Sequence, residues 1–218
     1  MRAGRRWLVA MTLHGRIFIA RHGETVFNAA GRMQGKTQDT PLTRAGFAQA
    51  DAMGAALAKF LGTKQSLLLY SSPSGRALQT LAIITEQIGA DWHEATHDAR
   101  LQEIDVGAWG GRTYAEIIAE QGDIMDHDAS LFSVRPPGGE WYDDIAVRLK
   151  AWIADTQGDR GDRLVIMHGM SSSILRGILL GLPIDPRFGA PIAPRVPQGT
   201  LVMVGNGTET VVHRGSGR

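Results

Sequence analysis

The sequence contains no cysteine. This absence excludes a disulfide framework, a zinc site with cysteine ligands and a cysteine nucleophile. It also fits a reducing compartment, so we expect a cytoplasmic protein. A run of apolar residues long enough to span a membrane is missing as well, so we expect no membrane partner.

An excess of charge of one sign is also missing. Lysine and arginine number 23, aspartate and glutamate number 22, and the formal net charge is therefore +1. This balance gives no electrostatic reason to expect nucleic acid or an anionic membrane as a partner. Net charge does not reveal a local cluster of arginines, which could still bind a small anion.

The N-terminus resembles a secretory signal only faintly. Three arginines precede the apolar run 7–11, which is too short for a signal peptide, and His14 interrupts the stretch that follows. We therefore interpret residues 1–15 as an N-terminal extension and residues 16–214 as a single domain. A chain of 218 residues is long enough for one domain with a two-sided core.

Short apolar runs alternate with helical patterns along the chain. The predicted strands are 17–20, 66–70 and 164–167, the predicted helices are 43–61, 76–88, 114–120, 141–156 and 171–180, and a hairpin joins 201–204 to 210–213. Strands that alternate with helices predict an α/β fold, a three-layer α/β/α sandwich with a mostly parallel central sheet. Ligands of such folds bind beyond the carboxyl ends of the strands.

The first predicted strand ends at Arg21-His22-Gly23. Neutral imidazole is a competent nucleophile toward phosphorus, and Arg21 beside His22 offers a planar fork of donors to phosphate oxygens. Gly23 would let a substrate approach the backbone closely. The alternative is a structural histidine and arginine that end a strand and pair with carboxylates.

Two further strand ends carry polar residues. The segment 71–75 connects a predicted strand to a helix, where free backbone N–H groups attract anions. Arg76 follows in the first helical turn, where a cation opposes the helix dipole unless an anionic partner is present. His168-Gly169 repeats the strand–His–Gly–helix arrangement of His22, so we expect the two histidines to share a pocket. Taken alone, each of these residues also fits a structural role.

The segment 101–111 contains two acids at alternate positions. On an extended segment, Glu103 and Asp105 would share one face. A carboxyl group kept protonated by burial could donate a proton to a leaving oxygen. Two solvated acids on an edge strand are the simpler interpretation of this segment by itself, and spacing alone does not choose between the acids.

These motifs occur together in one order. The set is Arg21-His22-Gly23-Glu24-Thr25 with Asn28, Ser72-Pro73 with Arg76, Leu101-Gln102-Glu103 followed by Gly107 and Trp109, Pro137-Gly138-Gly139-Glu140, and His168-Gly169. It resembles the histidine phosphatase superfamily, also called phosphoglycerate mutase-like, over nearly the whole chain. The resemblance implies that His22 becomes phosphorylated and that Glu103 is the proton donor. The residues implied to bind the phosphoryl group or substrate are Arg21, Asn28, Arg76, His168 and Gly169. No metal and no cofactor are implied, because the arginines supply the positive charge.

The resemblance also bears on the reaction. Mutases of the superfamily typically carry a long insertion after the glutamate segment and an asparagine after the second His-Gly. This chain has only the short segment 114–133 and Met170 at those places. Both differences favour a phosphomonoester hydrolase that acts on a small phosphorylated metabolite. A cofactor-dependent phosphoglycerate mutase and a catalytically inert regulatory member remain alternatives. Metal-dependent hydrolysis is a weaker rival, because neither His93 nor His97 lies in a motif.

The sequence does not identify the substrate. We expect specificity to come from the loop 33–39, the segment 114–133 and the loop 188–196. Arg187 and Arg195 are candidates to bind a second acidic group of the substrate, with solvent-exposed loop charges as the alternative. A homodimer is kept as a candidate assembly.

Overall fold

The computed structural model describes residues 14–62 and 66–217. The strands are β1 (Ile17–Arg21), β2 (Leu67–Ser71), β3 (Thr96–His97), β4 (Met125–Asp126), β5 (Leu131–Phe132), β6 (Asp162–Met167), β7 (Ile184–Asp185), β8 (Ala190–Pro191), β9 (Leu201–Gly205) and β10 (Thr208–His213). The α-helices are α1 (Val26–Ala29), α2 (Arg44–Leu61), α3 (Gly75–Ile88), α4 (Tyr114–Gln121), α5 (Tyr142–Thr156) and α6 (Gly169–Leu179). Most of residues 1–15, interpreted above as an extension, lie outside the described residues, and the domain limits stay a prediction.

The main sheet has the strand order β10-β9-β1-β6-β2-β3 among the described residues. Strands β1, β6, β2 and β3 are parallel, while β9 runs antiparallel to β1 and forms the predicted hairpin with β10. Two short two-stranded sheets, β4 with β5 and β7 with β8, lie outside it. The mostly parallel sheet of the prediction is confirmed.

Helices cover the sheet on both faces. Successive side chains of a strand point to opposite faces, so an apolar strand needs a covering layer on each side. Phe18 and Ala20 of β1 belong to one apolar cluster, together with Met53 and Leu57 of α2 and residues of α3. Ile17 and Ile19, which alternate with them along β1, belong to a second apolar cluster that includes core residues of α5 and α6. The central strands are therefore apolar at successive positions, as expected for a sheet buried on both sides. The three-layer α/β/α prediction is confirmed.

Helix ends follow the sequence signals, with one informative difference. Thr43 caps α2 by accepting a hydrogen bond from the Gly46 N–H at 3.1 Å, and Gly89 ends α3 in the left-handed conformation with φ of 65°. Helix α6 begins at Gly169, whereas the sequence predicts a start at Ser171. The helix therefore starts directly at the second His-Gly pair, and its first turn faces the candidate site.

None of the helices in the described part of the chain is long and apolar enough to cross a membrane.

Candidate active site

The parallel strands place the predicted site residues at one edge of the sheet. The pairing of Arg21 with Met167 and of Ser71 with Ile166 aligns the carboxyl ends of three neighbouring strands. The His22 N–H continues the ladder by donating to the Met167 carbonyl at 3.0 Å. The rings of His22 and His168 meet edge to face, with centroids 5.1 Å apart. The two histidines predicted to share a pocket are therefore neighbours, but only His22 lines the cavity described below.

The hydrogen bonds of His22 fix its tautomer. Its Nδ1 lies 2.7 Å from the carbonyl oxygen of Gly23, which can only accept, so Nδ1 carries the proton and Nε2 keeps its lone pair. The ring is only 3% exposed. Burial, followed by the charges of Arg76 and Arg21, holds the pKa of His22 well below its usual value of 6.5. The imidazole is therefore neutral at neutral pH, the form that can act as a nucleophile.

His168 lies behind His22 and is fully buried. Its Nδ1 accepts a hydrogen bond from the Arg76 guanidinium at 3.3 Å, and its Nε2 lies 2.8 Å from the Ser72 hydroxyl. Because arginine only donates, the proton of His168 sits on Nε2. Both nitrogens are thus engaged within the protein, and His168 orients Arg76 in this arrangement. The predicted contact of His168 with phosphate stays a proposal.

Arg76 occupies the first turn of α3, as the sequence predicts, and its guanidinium is held from several sides. It donates to the carbonyl oxygens of Gly35 at 2.8 Å and Thr37 at 2.7 Å, and to the Thr40 hydroxyl at 2.9 Å. No carboxylate of the described residues forms an ion pair with it. Burial lowers the pKa of Arg76 to about 10, so it stays cationic at neutral pH. The sequence predicts an anionic partner for Arg76, but it does not predict these carbonyl contacts.

Arg21 has few hydrogen-bond partners among the described residues. Its Nη1 donates to the Val196 carbonyl at 3.3 Å, while its buried Nε has no hydrogen-bond partner among the described residues. Burial and the charge of Arg195 lower the pKa of Arg21 to about 10. An unpaired buried donor is costly unless a ligand satisfies it. Gly169 lies against this group: a Cβ there would be 3.4 Å from the guanidinium carbon of Arg21 and 3.5 Å from Nη2 of Arg195, in ordinary van der Waals contact.

Gly23 serves packing within the fold, which differs from the role expected from the sequence. A Cβ at Gly23 would lie 2.3 Å from the carbonyl oxygen of Gly46 in the first turn of α2. The glycine is therefore required where the loop after β1 contacts this helix. Its carbonyl oxygen also anchors His22, as described above.

The two candidate acids separate completely. Glu103 accepts hydrogen bonds at its carboxylate from the N–H groups of Met170 at 3.1 Å and Ser171 at 3.0 Å, at the N-terminus of α6. Asp105 instead accepts from the Gly107 N–H at 2.9 Å, with Lys36 3.7 Å away. The expectation that the two acids share one face of an extended segment is wrong, because their carboxylates bind different parts of the chain, and the segment forms no strand. Of the two, only Glu103 lines the cavity beside His22.

Asn28 is connected to the rest of the site by Gln198, a residue that the sequence patterns do not predict as part of the site. Its Oδ1 accepts a hydrogen bond from the Gln198 side-chain amide at 2.8 Å and from the Thr25 N–H at 3.1 Å. The same Gln198 amide nitrogen lies 3.2 Å from the Gly23 carbonyl that holds His22. Gln198 thus connects Asn28 to the anchor of His22, and it is almost fully buried at 1% exposure. No local pattern marks this glutamine, since it approaches the site from the start of the distant β9 hairpin.

A cavity of about 110 Å³ opens over these groups. Arg21, His22, Asn28, Arg76 and Glu103 line it, whereas His168 and Gly169 lie behind them. Each of the three segments expected to set specificity contributes to the wall, with Met33, Gln34 and Gly35 from the first, Tyr114 and Phe132 from the second and Arg195 from the third. The structure therefore brings together most of the predicted substrate-binding residues.

The other arginines near the cavity differ in whether they line it. Arg195 and Arg32 line the cavity, and neither forms an ion pair within the described residues. Their guanidinium groups donate instead to the carbonyls of Ser130 at 2.6 Å and Gly111 at 2.7 Å. Arg187 pairs with Asp185 at 2.8 Å and Asp126 at 2.7 Å and does not line the cavity. Of the two arginines that the sequence singled out, Arg195 alone is at the site, and Arg32 was missed.

This arrangement fits the transfer of a phosphoryl group. A neutral imidazole has a free lone pair, arginines carry positive charge around it, and one carboxylate stands nearby. Fixed cations of this kind stabilise the charge that a transferring phosphoryl group spreads over its oxygens. Within the described residues, no group of three or more histidine, aspartate or glutamate side chains is arranged to hold a metal ion.

Comparisons with known proteins agree with this geometry. The profile of the histidine phosphatase superfamily (branch 1) matches residues 17–198. A glucosyl-3-phosphoglycerate phosphatase of Mycolicibacterium vanbaalenii is 36% identical over 181 residues, covering 78% of this chain and 76% of the relative. A probable phosphoglycerate mutase GpmB of Salmonella paratyphi C is 34% identical over 172 residues, covering 77% of this chain and 75% of the relative. The structure of a mycobacterial glucosyl-3-phosphoglycerate phosphatase in complex with VO3 superimposes with a TM-score of 0.70 at 27% identity, covering 93% of this chain and 99% of the other.

The mostly parallel sheet presents a buried imidazole and arginines at the carboxyl ends of its strands, as a phosphoryl-transfer site requires. The chain belongs to the histidine phosphatase superfamily. The prediction that the protein is a phosphatase of this superfamily is confirmed.

Proposed function

We propose that the protein hydrolyses a small phosphate monoester through a phosphohistidine at His22. The observation that carries the proposal is the geometry of this ring. Its Nδ1–H donates to the Gly23 carbonyl oxygen at an N···O distance of 2.7 Å, and the lone pair on Nε2 remains available at the edge of a cavity lined by arginines. The complex of a related phosphatase with VO3 supports a site for a phosphorus-like centre in this fold.

The first chemical step forms a bond between Nε2 of His22 and phosphorus while the bond from phosphorus to the leaving oxygen breaks. Arg21 and Arg76 bind the phosphoryl oxygens, and the unpaired Nε of Arg21 gains a partner. A proton moves from the carboxyl group of Glu103 to the leaving oxygen, which departs as an alcohol. In the second step, water attacks phosphorus and gives its proton to the Glu103 carboxylate. The N–P bond then breaks, and inorganic phosphate leaves.

Hydrolysis is favoured over mutase chemistry by the wall of the cavity. A mutase must hold a second phosphorylated molecule in place of water, and a long insertion typically shapes that site. Here the corresponding wall consists of Tyr114 and Phe132, from a segment that forms only α4 and the β4–β5 hairpin. Met170 places an apolar side chain on the same wall. The relatives include proteins named for either activity, so the reaction needs a direct test.

Incubation with a panel of phosphate esters tests this function. We expect inorganic phosphate to be released from one or more alkyl esters, at a rate that added 2,3-bisphosphoglycerate does not increase. Phosphate release that requires bisphosphoglycerate, with conversion of one phosphoglycerate isomer to the other, would identify a mutase. Absence of both reactions, together with binding of the esters, would identify the inert alternative.

We further propose that Arg195 binds a second acidic group of the substrate. It lines the cavity close to Gly169 and Arg21, and its charge has no acidic partner among the described residues. Two adjacent unpaired cations are better accommodated by two anionic groups than by one. The relatives named for glucosyl-3-phosphoglycerate and phosphoglycerate act on compounds that carry a carboxylate as well as a phosphate.

Substitution Arg195→Gln should lower kcat/KM for 3-phosphoglycerate by about 10- to 100-fold, because a hydrogen bond to a charged group is lost. The change for glycerol 3-phosphate, which lacks the carboxylate, should be much smaller. Arg187→Gln is the matched control, since Arg187 is an arginine of the same loop region that pairs with two aspartates away from the cavity. An equal loss on both esters in Arg195→Gln would instead assign Arg195 to the transferred phosphoryl group.

The cytoplasmic location and the homodimer stay predictions.

A further inference from the structure

The segment that carries Glu103 has no strand to hold it. It lies between the 3₁₀ turns Ala99–Leu101 and Gly107–Trp109, outside the sheet. A proton donor must be placed within hydrogen-bond reach of the leaving oxygen, and a shift of about 1 Å can cost about 100-fold in rate. Other contacts must therefore fix the backbone of residues 102–106.

Glu140 supplies the first of these contacts, at the end of the Pro137-Gly138-Gly139-Glu140 motif. Its carboxylate accepts a hydrogen bond from the Asp105 N–H at 2.9 Å, and its own N–H donates to the Asp105 carbonyl at 2.9 Å. Glu140 thus binds both backbone groups of Asp105, the second residue after Glu103. In this way it replaces the strand neighbour that the segment lacks.

Arg148 supplies the second set of contacts from α5. Its guanidinium donates to the carbonyl of Arg100 at 2.5 Å and to the carbonyl of Glu103 itself at 3.3 Å. It also binds the Glu140 carboxylate through two nitrogens at 3.1 and 3.2 Å. The side chains of Arg148 and Glu140 are only 14% and 17% exposed, so water screens this pair little. Lys36, 3.3 Å from Glu140, completes the charge environment of the carboxylate.

Two glycines allow the motif to approach the segment closely. A Cβ at Gly107 would lie 2.2 Å from the Pro137 carbonyl oxygen, and a Cβ at Gly139 would lie 2.4 Å from the Asp105 carbonyl oxygen. Gly107 also has a φ of 46°, in the left-handed region that favours glycine. The Ala108 N–H donates to the Pro137 carbonyl at 3.0 Å. The motif and the acid-bearing segment are therefore packed backbone against backbone.

We infer that Glu140 and Arg148 are positioning residues for the proton donor. They act through the backbone on both sides of Glu103, while the N–H groups of Met170 and Ser171 hold its carboxylate. The inference rests on the proposed function, because it assumes that Glu103 is the acid. It gives a catalytic purpose to a motif that does not reach the cavity.

The test compares two substrates in the full-length protein. Glycerol 3-phosphate has a poor leaving group that requires protonation, whereas nitrophenyl phosphate needs little help from an acid. Glu140→Ala should lower kcat/KM for glycerol 3-phosphate by roughly 10- to 100-fold relative to nitrophenyl phosphate. The loss is limited because Glu103 is still present in this variant and only its position changes. Glu140→Gln should recover part of this loss, since its amide oxygen can still accept from the Asp105 N–H. Arg148→Lys is the second variant, and it should show the same selectivity for the alkyl ester.

Asp162→Asn is the matched control. Asp162 is also a half-buried carboxylate paired with an arginine, Arg16, but it lies at the start of β6, at the opposite edge of the sheet. This variant should lower Tm while leaving the ratio of the two substrates unchanged. Equal losses on both substrates in the Glu140 and Arg148 variants, or no loss, would overturn the positioning role. If Glu103→Gln itself shows no selective loss, the assignment of the acid is wrong and the positioning role falls with it. Selective loss in Glu103→Gln alone would overturn only the inference for Glu140 and Arg148.

Discussion

His22→Ala should abolish turnover, and the wild-type protein should carry the transferred phosphoryl group on His22. A covalent nucleophile cannot be replaced by the surrounding binding groups, so we expect a loss of roughly 1,000-fold or more in kcat. The measurement is a rapid quench of enzyme mixed with a 32P-labelled ester under alkaline conditions, where phosphohistidine survives. Peptide mapping should then locate the label on His22.

The control for this experiment is His127→Ala, because His127 is 77% exposed and pairs with Asp123 away from the cavity. It should retain wild-type rate and labelling. A wild-type rate in His22→Ala, with no label on His22 at any quench time, would contradict the nucleophile assignment. Loss of activity together with loss of the folded state would be detected by circular dichroism, and His22→Asn would then be measured in its place.

The location of the site could be predicted from the sequence because the strand pattern carries it. The apolar runs 17–20 and 164–167 lead into Arg21-His22 and His168, and this pattern predicts both histidines at the carboxyl ends of buried strands. The parallel pairing of β1 with β6 then brings the rings to 5.1 Å. Nothing beyond period and spacing was needed for this step.

Other parts of the site depend on contacts that sequence patterns do not encode. Arg187 and Arg195 are eight residues apart in one loop region, yet Arg187 pairs with two aspartates, while no carboxylate in the described part of the chain pairs with Arg195. Gln198 reaches the anchor of His22 from the start of a hairpin far along the chain. Gly23 was interpreted as a point where substrate could approach the backbone closely. In the structure, a side chain at Gly23 would collide with α2, which begins some 20 residues later in the chain. Such roles become visible only when distant segments are packed together.

The proton donor, too, could not be identified from sequence spacing. Its substitution is the second change for which we expect a large effect. Alternation in the sequence placed Glu103 and Asp105 on one face, and the structure directs them apart. The Glu103 carboxylate accepts hydrogen bonds from the first turn of α6 and lines the cavity. The Asp105 carboxylate accepts from the Gly107 N–H and lies near Lys36. Only the resemblance to the family chose between them from the sequence, and the geometry now supplies a physical reason.

Glu103→Gln should slow the hydrolysis of alkyl phosphates by about 100- to 10,000-fold, the usual contribution of a general acid. An alkoxide is a poor leaving group, so transfer to the imidazole depends on the proton that glutamine cannot supply. The loss on nitrophenyl phosphate should be much smaller, because a nitrophenolate leaves without protonation. Asp105→Asn removes a carboxylate two residues away, and we expect little change in the ratio of the two rates. A selective loss in Asp105→Asn, or equal small effects of both substitutions, would show that Glu103 is not the acid and that the proton reaches the leaving oxygen from another group.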